Sequence, residues 1–166
     1  MTNCRVGFGY DIHRFIVDRK LILGGVEIPY PKGLSGHSDA DVLTHAVCDA
    51  FLGAVGLPDI GTQFPDDDPT YADISSIDLL KNVIRMISER NYHLINLDVT
   101  IIAEEPRMAP FRDKIANSIA KIIGIDPTFI SVKAKTMEGL GEIGEGEAIA
   151  CFAIALLERF NNRDTK

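Results

Sequence analysis

The sequence AIACFAIALLERF, residues 148–160, decides the fold, because its first ten positions are apolar without interruption. A helix or strand with one solvent-exposed face would have a polar residue every few positions. Two interpretations fit the pattern, a strand buried on both faces of a sheet and a helix in the core. We interpret the segment as a strand, and the helix stays open as an alternative. Such a strand needs protein on both faces of its sheet.

Three further segments alternate apolar and polar residues with the period of a strand. A fourth segment has Gly24-Gly25 at its centre, which predicts a short hairpin. In chain order these segments are CRVGFGYDI (4–12), LILGGVEIP (21–29), HLINLDVTIIAEE (93–105) and FISVKAKTM (129–137).

Three segments have apolar residues at helical spacing. The first is capped by Ser38 or Asp39 and runs to Ala54, and the second extends from Ile74 to about Arg90. The third, MAPFRDKIANSIAKIIG (108–124), has Pro110 in its first turn and Gly124 at its end, both of which suit those positions. Two segments rich in Pro, Asp, Gly or Glu are predicted to be loops, DIGTQFPDDDPTYAD and EGLGEIGEGE.

The predicted order is β, hairpin, α, α, β, α, β, β, which indicates one α/β domain over residues 1–166 without an internal linker. Three helices cover only one side of a small sheet. The other side needs a partner, and the sequence offers no further element to supply it. A homo-oligomer that packs sheet against sheet is therefore expected.

Composition excludes several classes of protein. A net charge of -7 argues against nonspecific binding of nucleic acid. An anionic ligand would need bound cations to neutralise its charge. Cys4, Cys48 and Cys151 are widely spaced, so a disulfide framework is not indicated and a reducing cytoplasm is expected. The N-terminus lacks the apolar run of a signal peptide. The longest apolar run has ten residues, whereas a membrane-spanning helix needs about twenty, so no membrane association is expected.

The segment GYDIH places Asp11 and His13 two positions apart, on one face of a strand. Asp41 and His45 lie four apart on one face of the first helix. Asp11, His13 and His45 together form one carboxylate and two imidazoles, a set that suits catalytic zinc. Two other interpretations stay open: Asp11 and His13 form a local pair that closes the strand, and His45 pairs only with Asp41.

Two other polar clusters allow two interpretations each. The carboxylates of Asp59, Asp66, Asp67 and Asp68 either bind magnesium or are simply solvated. The segment KAKTMEGLG (133–141) either approaches a phosphate, with Glu138 holding a bridging cation, or is a flexible turn. His37, just ahead of the predicted helix cap, is expected at the mouth of the site that contains Asp11, His13 and His45, and His93 is expected at the surface.

Six blocks, in this order along almost the whole chain, carry a specific resemblance. They are GYDIH, LGGVEIP, KGLSGHSDADVLTHAVCDAFLG, DIG..FPDDDP, DVTIIAEEPRMAP and KAKTMEGLG..G.GEAIAC. Together they resemble the 2-C-methyl-D-erythritol 2,4-cyclodiphosphate synthase family of the non-mevalonate isoprenoid pathway. Each block alone would be a weak signal, whereas several in the correct order are specific.

The resemblance implies a metal-dependent phosphorus-oxygen lyase. Such an enzyme takes 4-diphosphocytidyl-2-C-methyl-D-erythritol 2-phosphate, closes an eight-membered cyclic diphosphate and releases CMP. It also implies a homotrimer with active sites between subunits. With the sequence pattern, the expected fold is α/β of the α+β type: a single domain with a mixed, mainly antiparallel sheet, helices on one face and sheet faces packed together in the trimer.

The resemblance also implies roles for individual residues. Asp11, His13 and His45 match zinc ligands, and Glu138 matches the ligand of a second ion, magnesium or manganese. His37 and Thr136 are implied to position the transition state. The implied methylerythritol pocket contains His37, Ser38, Asp59, Ile60, Gly61 and Asp66. The implied cytidine pocket contains Ala103, Arg107, Met108, Ala109, Ala134, Lys135 and Thr136.

Three positions depart from the family pattern. Arg107 stands where Lys is common, and Lys135 where Thr is common. Glu145 stands where many members have Arg beside a cavity on the trimer axis that holds an isoprenoid diphosphate. A carboxylate there would repel that ligand, so we expect no such binding.

Two rival functions are compatible with the residues. A metal-dependent phosphohydrolase would admit water in place of the 2-phosphate and give a linear product. A trimeric metal-binding scaffold would retain metal without releasing CMP.

Overall fold

The computed structural model describes residues 3–36, 38–65 and 74–160. Within them, seven strands are β1 Cys4–Val17, β2 Leu21–Leu23, β3 Val26–Ile28, β4 Lys32–Leu34, β5 Tyr92–Ile102, β6 Ile130–Lys135 and β7 Ala148–Arg159. Strands β2 and β3 form a separate hairpin around Gly24-Gly25, as predicted. The other five form one sheet in the order β4-β1-β7-β5-β6.

The sheet is mixed and mainly antiparallel, as expected from the sequence. Only β5 and β6 pair in parallel, while β7 pairs antiparallel with both β1 and β5. Residues 148–159 are thus a strand at the centre of the sheet, and the helix alternative for this segment is wrong. The uninterrupted apolar run belongs to a central strand, because both its edges and much of its surface are covered by protein.

The helices are α1 Val42–Ala54, α2 Ile60–Gln63, α3 Ser76–Glu89, α4 Arg112–Ile123 and α5 Gly141–Gly144, with short 3-10 turns at Ala109–Phe111 and Pro127–Phe129. All three predicted helices are present, and Gly124 ends α4 with a left-handed φ of 84°. Strand β4 and the single-turn helices α2 and α5 do not appear among the predicted elements. No helix in the described ranges is long and apolar enough to cross a membrane.

Helix α1 begins later than the sequence predicts. Its N-cap is Asp41, whose carboxylate accepts a hydrogen bond from the backbone N–H of Thr44, and neither Ser38 nor Asp39 caps it. Ser38 and Ala40 have positive φ values of 54° and 53°, so the chain is still turning at these residues. The predicted caps were therefore wrong by two or three residues.

Strand β1 and helix α1 pack at backbone distance because Gly7 and Gly9 face the helix. A Cβ atom added to Gly7 would lie 1.8 Å from the carbonyl oxygen of Ala50, and one added to Gly9 would lie 1.9 Å from that of Ala46. Only glycine leaves room for this approach. The close packing brings every second residue of β1, including Asp11 and His13, beneath the helix.

The opposite face of the sheet is apolar and open in a single chain. Its exposed side chains are Val6, Phe8, Tyr10 and Ile12 of β1 and Phe152 and Ile154 of β7, with 38–66% of each exposed. Along β7, four consecutive buried residues, 148–151, precede this open stretch. The predicted burial of β7 on both faces thus holds only for its first residues within one chain. Large exposed apolar patches of this kind are typical of surfaces that bind a partner.

Candidate functional site

Asp11, His13 and His45 come together at the junction of β1 and α1. Asp11 pairs with Cys151 of β7, and His13 pairs with Ile149, so their backbones are held inside the sheet. His45 lies one turn into α1, the helix that packs onto β1. Two rigid elements therefore position the three side chains.

The polar atoms of these three side chains converge on one point. The Asp11 Oδ2 atom lies 2.8 Å from His13 Nε2 and 3.0 Å from His45 Nδ1, and the two nitrogens are 3.4 Å apart. The side chains are only 13–27% exposed. Ligand atoms bonded to one zinc ion at about 2.0–2.1 Å lie roughly 3.3 Å apart at the corners of a tetrahedron. The donor set and its spacing therefore fit a metal ion with one open coordination position.

Each imidazole is oriented by a contact through its other nitrogen. The Nδ1 atom of His13 lies 2.5 Å from the carbonyl oxygen of Ser35, which can only accept, so Nδ1 carries the hydrogen. The Nε2 atom of His45 lies 3.0 Å from the hydroxyl of Ser76 at the start of α3. Metal-binding histidines usually make such a contact through the nitrogen that does not bind the metal.

The electrostatics of the group favour an ionised Asp11. Burial alone would raise the pKa of Asp11, but hydrogen bonds and charges from His13 and His45 outweigh it and lower the pKa to about 2. Burial alone would lower the pKa of His13, whereas hydrogen bonds to Asp11 and the Ser35 carbonyl raise it above 6.5 overall. The protein thus favours the ionised form of Asp11, the form in which a carboxylate binds a metal ion.

The alternative that His45 pairs only with Asp41 is wrong. The Asp41 carboxylate is fully buried and accepts hydrogen bonds from Gly24 N, Gly25 N, Thr44 N and Thr44 Oγ1 at 2.8–3.0 Å. These contacts fix the hairpin to α1. The Asp11–His13 pair does exist, but His45 completes it as a triad. No other group of three His, Cys, Asp or Glu residues in the described part of the chain reaches this geometry.

Where the structure describes them, the residues of the implied methylerythritol pocket connect to the triad through Ser76 and through Asp49 on α1. Ser38 lies in the loop before α1, and its hydroxyl is 3.2 Å from that of Ser76. Asp59 caps α2 by accepting from Thr62 N at 2.8 Å, and this helix contains Gly61. Ile60 N donates to Asp49 Oδ1 at 2.8 Å. His37, Asp66, Asp67 and Asp68 lie outside the described residues.

The residues of the implied cytidine pocket lie at the ends of β5 and β6 or within the next seven residues along the chain. Ala103 N donates to the carbonyl of Lys135 at 3.0 Å, which joins the two strand ends. Beyond them, the Thr136 hydroxyl donates to Glu138 Oε1 at 3.0 Å. Ala103 and Met108 are buried and Ala134 is half-buried, whereas Arg107, Ala109, Lys135, Thr136 and Glu138 are exposed.

The structure reveals further polar residues that the sequence does not single out. Glu104 accepts from Met137 N at 3.2 Å and so holds the loop that contains Glu138. Asp49 lies one turn after His45 on α1, and burial is the main cause that raises its pKa, with Asp59 and Asp11 adding to it. Ser76 contacts His45 from α3. Glu104 and Ser76 reach the site through tertiary contacts, for which the sequence gives no local signal, whereas Asp49 follows His45 by one turn of the same helix. His93, expected at the surface, is half-buried and stacks on Phe160 at 4.3 Å between ring centroids.

The two groups of site residues lie apart within one chain. Asp11, Cys151, Ile101 and Ala134 form one row across β1, β7, β5 and β6. Three spacings between strands separate the first from the last, or about 14 Å at ~4.8 Å each. Helix α1 packs over β1 and β7, which lie on this row.

Comparison with known proteins matches nearly the whole chain. The model of the YgbB family matches residues 4–158. The chain is 53% identical over 154 residues to the 2-C-methyl-D-erythritol 2,4-cyclodiphosphate synthase of Desulfatibacillum aliphaticivorans. This match covers 93% of the present chain and 99% of that protein. The chain is 56% identical over 154 residues to the bifunctional enzyme IspD/IspF of Desulforudis audaxviator, of whose length it spans only 39%.

A solved structure extends the match to the fold. The Plasmodium falciparum IspF in a CDP complex superimposes with a TM-score of 0.85 at 40% identity, and the match covers 97% of this chain and 99% of that one. Sequence and fold thus point to the same relatives.

Proposed function

The chain belongs to the YgbB family, the family of the 2-C-methyl-D-erythritol 2,4-cyclodiphosphate synthases, and on this premise we propose how it carries out the cyclisation. The reaction belongs to non-mevalonate isoprenoid synthesis. The proposed substrate is 4-diphosphocytidyl-2-C-methyl-D-erythritol 2-phosphate, and the proposed products are the cyclic diphosphate and CMP. The enzyme is then a phosphorus-oxygen lyase, with residues 1–166 acting as one catalytic domain.

The convergence of Asp11, His13 and His45 carries this proposal. One carboxylate and two imidazoles with ligand atoms 2.8–3.4 Å apart suit zinc, and three protein ligands leave a position for substrate. A zinc ion held by these three residues would supply Lewis acidity toward the oxygens of the substrate phosphates. Glu138, which the family resemblance matches to this role, is the proposed ligand of a second ion, magnesium or manganese, on the diphosphate; its side chain is exposed, in a loop that Glu104 holds.

The reaction needs positioning more than proton transfer. An oxygen of the 2-phosphate bonds to the β-phosphorus, the bond from that phosphorus to the bridging oxygen breaks, and CMP leaves with the electron pair. The nucleophile is already ionised, so no general base is required. Ser38, Asp59, Ile60 and Gly61, with His37 and Asp66, are proposed to hold the erythritol part. His37 and Thr136 are proposed to orient the phosphates in the transition state.

The nucleotide is proposed to bind the residues at the ends of β5 and β6. Ala103 and Met108 are buried there, which suits recognition of the base by backbone groups. The group consists of Ala103, Arg107, Met108, Ala109, Ala134, Lys135 and Thr136.

The proposed assembly is a homotrimer with active sites between subunits. Two observations support it: the open apolar face of the sheet, and the separation of about 14 Å between the metal triad and Ala134. In the trimer, the nucleotide residues of one subunit would complete the metal site of its neighbour. Glu145 lies exposed at the end of α5. Because its carboxylate would repel a diphosphate, we still predict that the trimer axis does not bind an isoprenoid diphosphate.

The test is phosphorus NMR of the products formed from the cytidylyl substrate with zinc and magnesium, in the wild type and in His45→Ala. A cyclic diphosphate with CMP, lost in His45→Ala but retained in His93→Ala, is the expected result. The His93 control removes an imidazole outside the triad. CMP with a linear product would show that the protein is a phosphohydrolase and not a cyclising enzyme. Metal retention without turnover would leave a metal-binding scaffold.

A further inference from the structure

Ser76 connects the start of α3 to the metal triad on β1 and α1. It is the first residue of α3 and is completely buried. Its hydroxyl contacts His45 Nε2 at 3.0 Å and makes a very short hydrogen bond to Asp39 Oδ1. A buried serine between a carboxylate and a histidine has few ways to arrange its single hydrogen.

The donor and acceptor roles in this chain follow from elementary chemistry. A serine hydroxyl has one hydrogen and two lone pairs, and a carboxylate can only accept. Ser76 therefore donates to Asp39, and its contact with His45 must use a lone pair. Consequently His45 Nε2 carries a hydrogen and donates it to Ser76. With its hydrogen on Nε2, His45 can offer the lone pair of Nδ1 to a metal ion that Asp11 Oδ2, 3.0 Å from Nδ1, would also bind.

We propose that Ser76, held by Asp39, is a positioning residue that sets the tautomer of His45 for metal binding through Nδ1. Asp39 is itself fixed, because its Oδ1 atom also accepts from Ser76 N at 3.1 Å and from Ser38 Oγ at 3.3 Å. Among the described residues, Ser76 is the hydrogen-bond partner of His45 Nε2, so it is the group placed to hold a hydrogen on that nitrogen. The inference rests on the proposed metal centre, but its test does not depend on turnover.

The chain contains a matched control in the neighbouring serine. Ser75 is the N-cap of α3, and its hydroxyl accepts from Asp78 N at 3.1 Å. Ser75→Ala removes a hydroxyl from the same turn without touching His45. Any general weakening of α3 would therefore appear in both variants, whereas an effect on the triad would appear only in Ser76→Ala.

The first measurement is zinc affinity by competition with a chromophoric chelator. Loss of an outer contact to a metal-bound histidine typically costs 10–100-fold in affinity, and we expect a weakening of about that size in Ser76→Ala. Ser75→Ala should stay within about twofold of the wild type. Equal affinities in Ser76→Ala and the wild type would overturn the inference.

The second measurement reads the ring nitrogen that carries the hydrogen directly, by long-range ¹H–¹⁵N NMR of the zinc-loaded protein. His45 should carry its hydrogen on Nε2 in the wild type and in Ser75→Ala, and should be a mixture in Ser76→Ala. A hydrogen on Nδ1 in the wild type would overturn the inference. If the wild type forms the cyclic product while Ser76→Ala and Ser75→Ala bind zinc equally well, the inference about Ser76 is wrong but the proposed function stands. If the wild type neither binds zinc nor forms the cyclic product, the proposed function is wrong as well.

Discussion

Asp39 and Asp41 lie two residues apart before α1, yet their carboxylates have different roles. Asp41 is buried among donors from the hairpin and α1, whereas Asp39 accepts from Ser38 and Ser76 beside the triad. The sequence SGHSDAD predicts that one of several residues caps a helix, since all have suitable side chains. Which carboxylate caps and which faces the site depends on the positive φ values at Ser38 and Ala40, which the sequence pattern does not indicate.

Asp41→Ala is expected to destabilise the protein by about 2–4 kcal/mol. It removes a helix cap and leaves the buried N–H of Gly24 without its partner. Urea unfolding of the metal-free protein measures the loss. Ser75→Ala, which removes only a cap, should cost about 1 kcal/mol. Similar losses in both variants would contradict the anchoring role of Asp41.

Only one of the three cysteines should react with a thiol reagent in the native protein. Burial is the main cause that raises the pKa values of Cys48 and Cys151 well above 9, and both thiols are inaccessible. Cys4 is exposed. Mass spectrometry at neutral pH should find one label on the native chain, at Cys4, and three after denaturation. Rapid native labelling of Cys151 would mean that β7 opens readily.

At the scale of elements, the separation of β1 and α1 determines whether a metal site can form. Asp11 and His13 belong to the strand and His45 to the helix, so the triad closes only if the two backbones approach closely. Gly7 and Gly9 permit that approach. The sequence alone does not predict this role, because glycines in an alternating strand are equally compatible with a bulge. The position of α1 over the two glycines in the structure identifies it.

Gly9→Ala should weaken both folding and metal binding. The added Cβ would lie 1.9 Å from the Ala46 carbonyl oxygen, so α1 must move away and carry His45 with it. We expect at least about 3 kcal/mol of lost stability, and at least about tenfold weaker zinc binding in the folded fraction. Urea unfolding and chelator competition measure the two effects.

Gly53→Ala on α1 is the matched control for this change. Its added Cβ would have only the Phe8 carbonyl oxygen nearby, at 3.9 Å, which is ordinary contact. Alanine also favours a helix over glycine by up to about 1 kcal/mol, so stability should rise slightly and zinc affinity should not change. Normal zinc affinity in Gly9→Ala would show that the spacing of β1 and α1 does not control the site.

The long elements were predictable because each has a clear period. Residues 76–89 repeat apolar residues at helical spacing, and residues 4–12 alternate. Strand β4 has only three residues, and helices α2 and α5 only four each, so no period can appear in them. These short elements form because tertiary contacts hold them. Asp49, for example, binds the first N–H of α2.

At the scale of the whole molecule, one face of the sheet stays exposed to solvent in a single chain although its side chains are apolar. Phe8 and Ile154 are partners in the sheet, and Tyr10 and Phe152 are the next pair on the same face. The rings of Tyr10 and Phe152 lie 4.9 Å apart. The need for a partner followed from the apolar run of 148–157, but the number of subunits came from the family resemblance alone.

Phe8→Asp should convert the proposed trimer to monomer. Phe8 is 60% exposed in the apolar face, and burying a carboxylate there without a partner is costly. Analytical ultracentrifugation measures the mass. Zinc binding should survive because the triad belongs to one chain, while turnover should fall at least about a hundredfold because the shared site is lost.

Phe129→Asp provides the control, since Phe129 is 53% exposed in a 3-10 turn outside the apolar face. It should leave both the mass and the turnover unchanged. A monomeric Phe8→Asp variant with full activity would refute an active site shared between subunits.

The order of the strands has a consequence for synthesis of the protein. The centre of the sheet is β7, which follows the other six described strands along the chain, so β1 and β5 stand apart until residues 148–159 have been synthesised. During translation, both strands expose unpaired edges and apolar faces, which is the condition for misassembly with other nascent chains. A chain truncated before Ala148 would keep those edges permanently. We therefore expect such fragments to be bound by chaperones or degraded rather than to accumulate as folded subdomains.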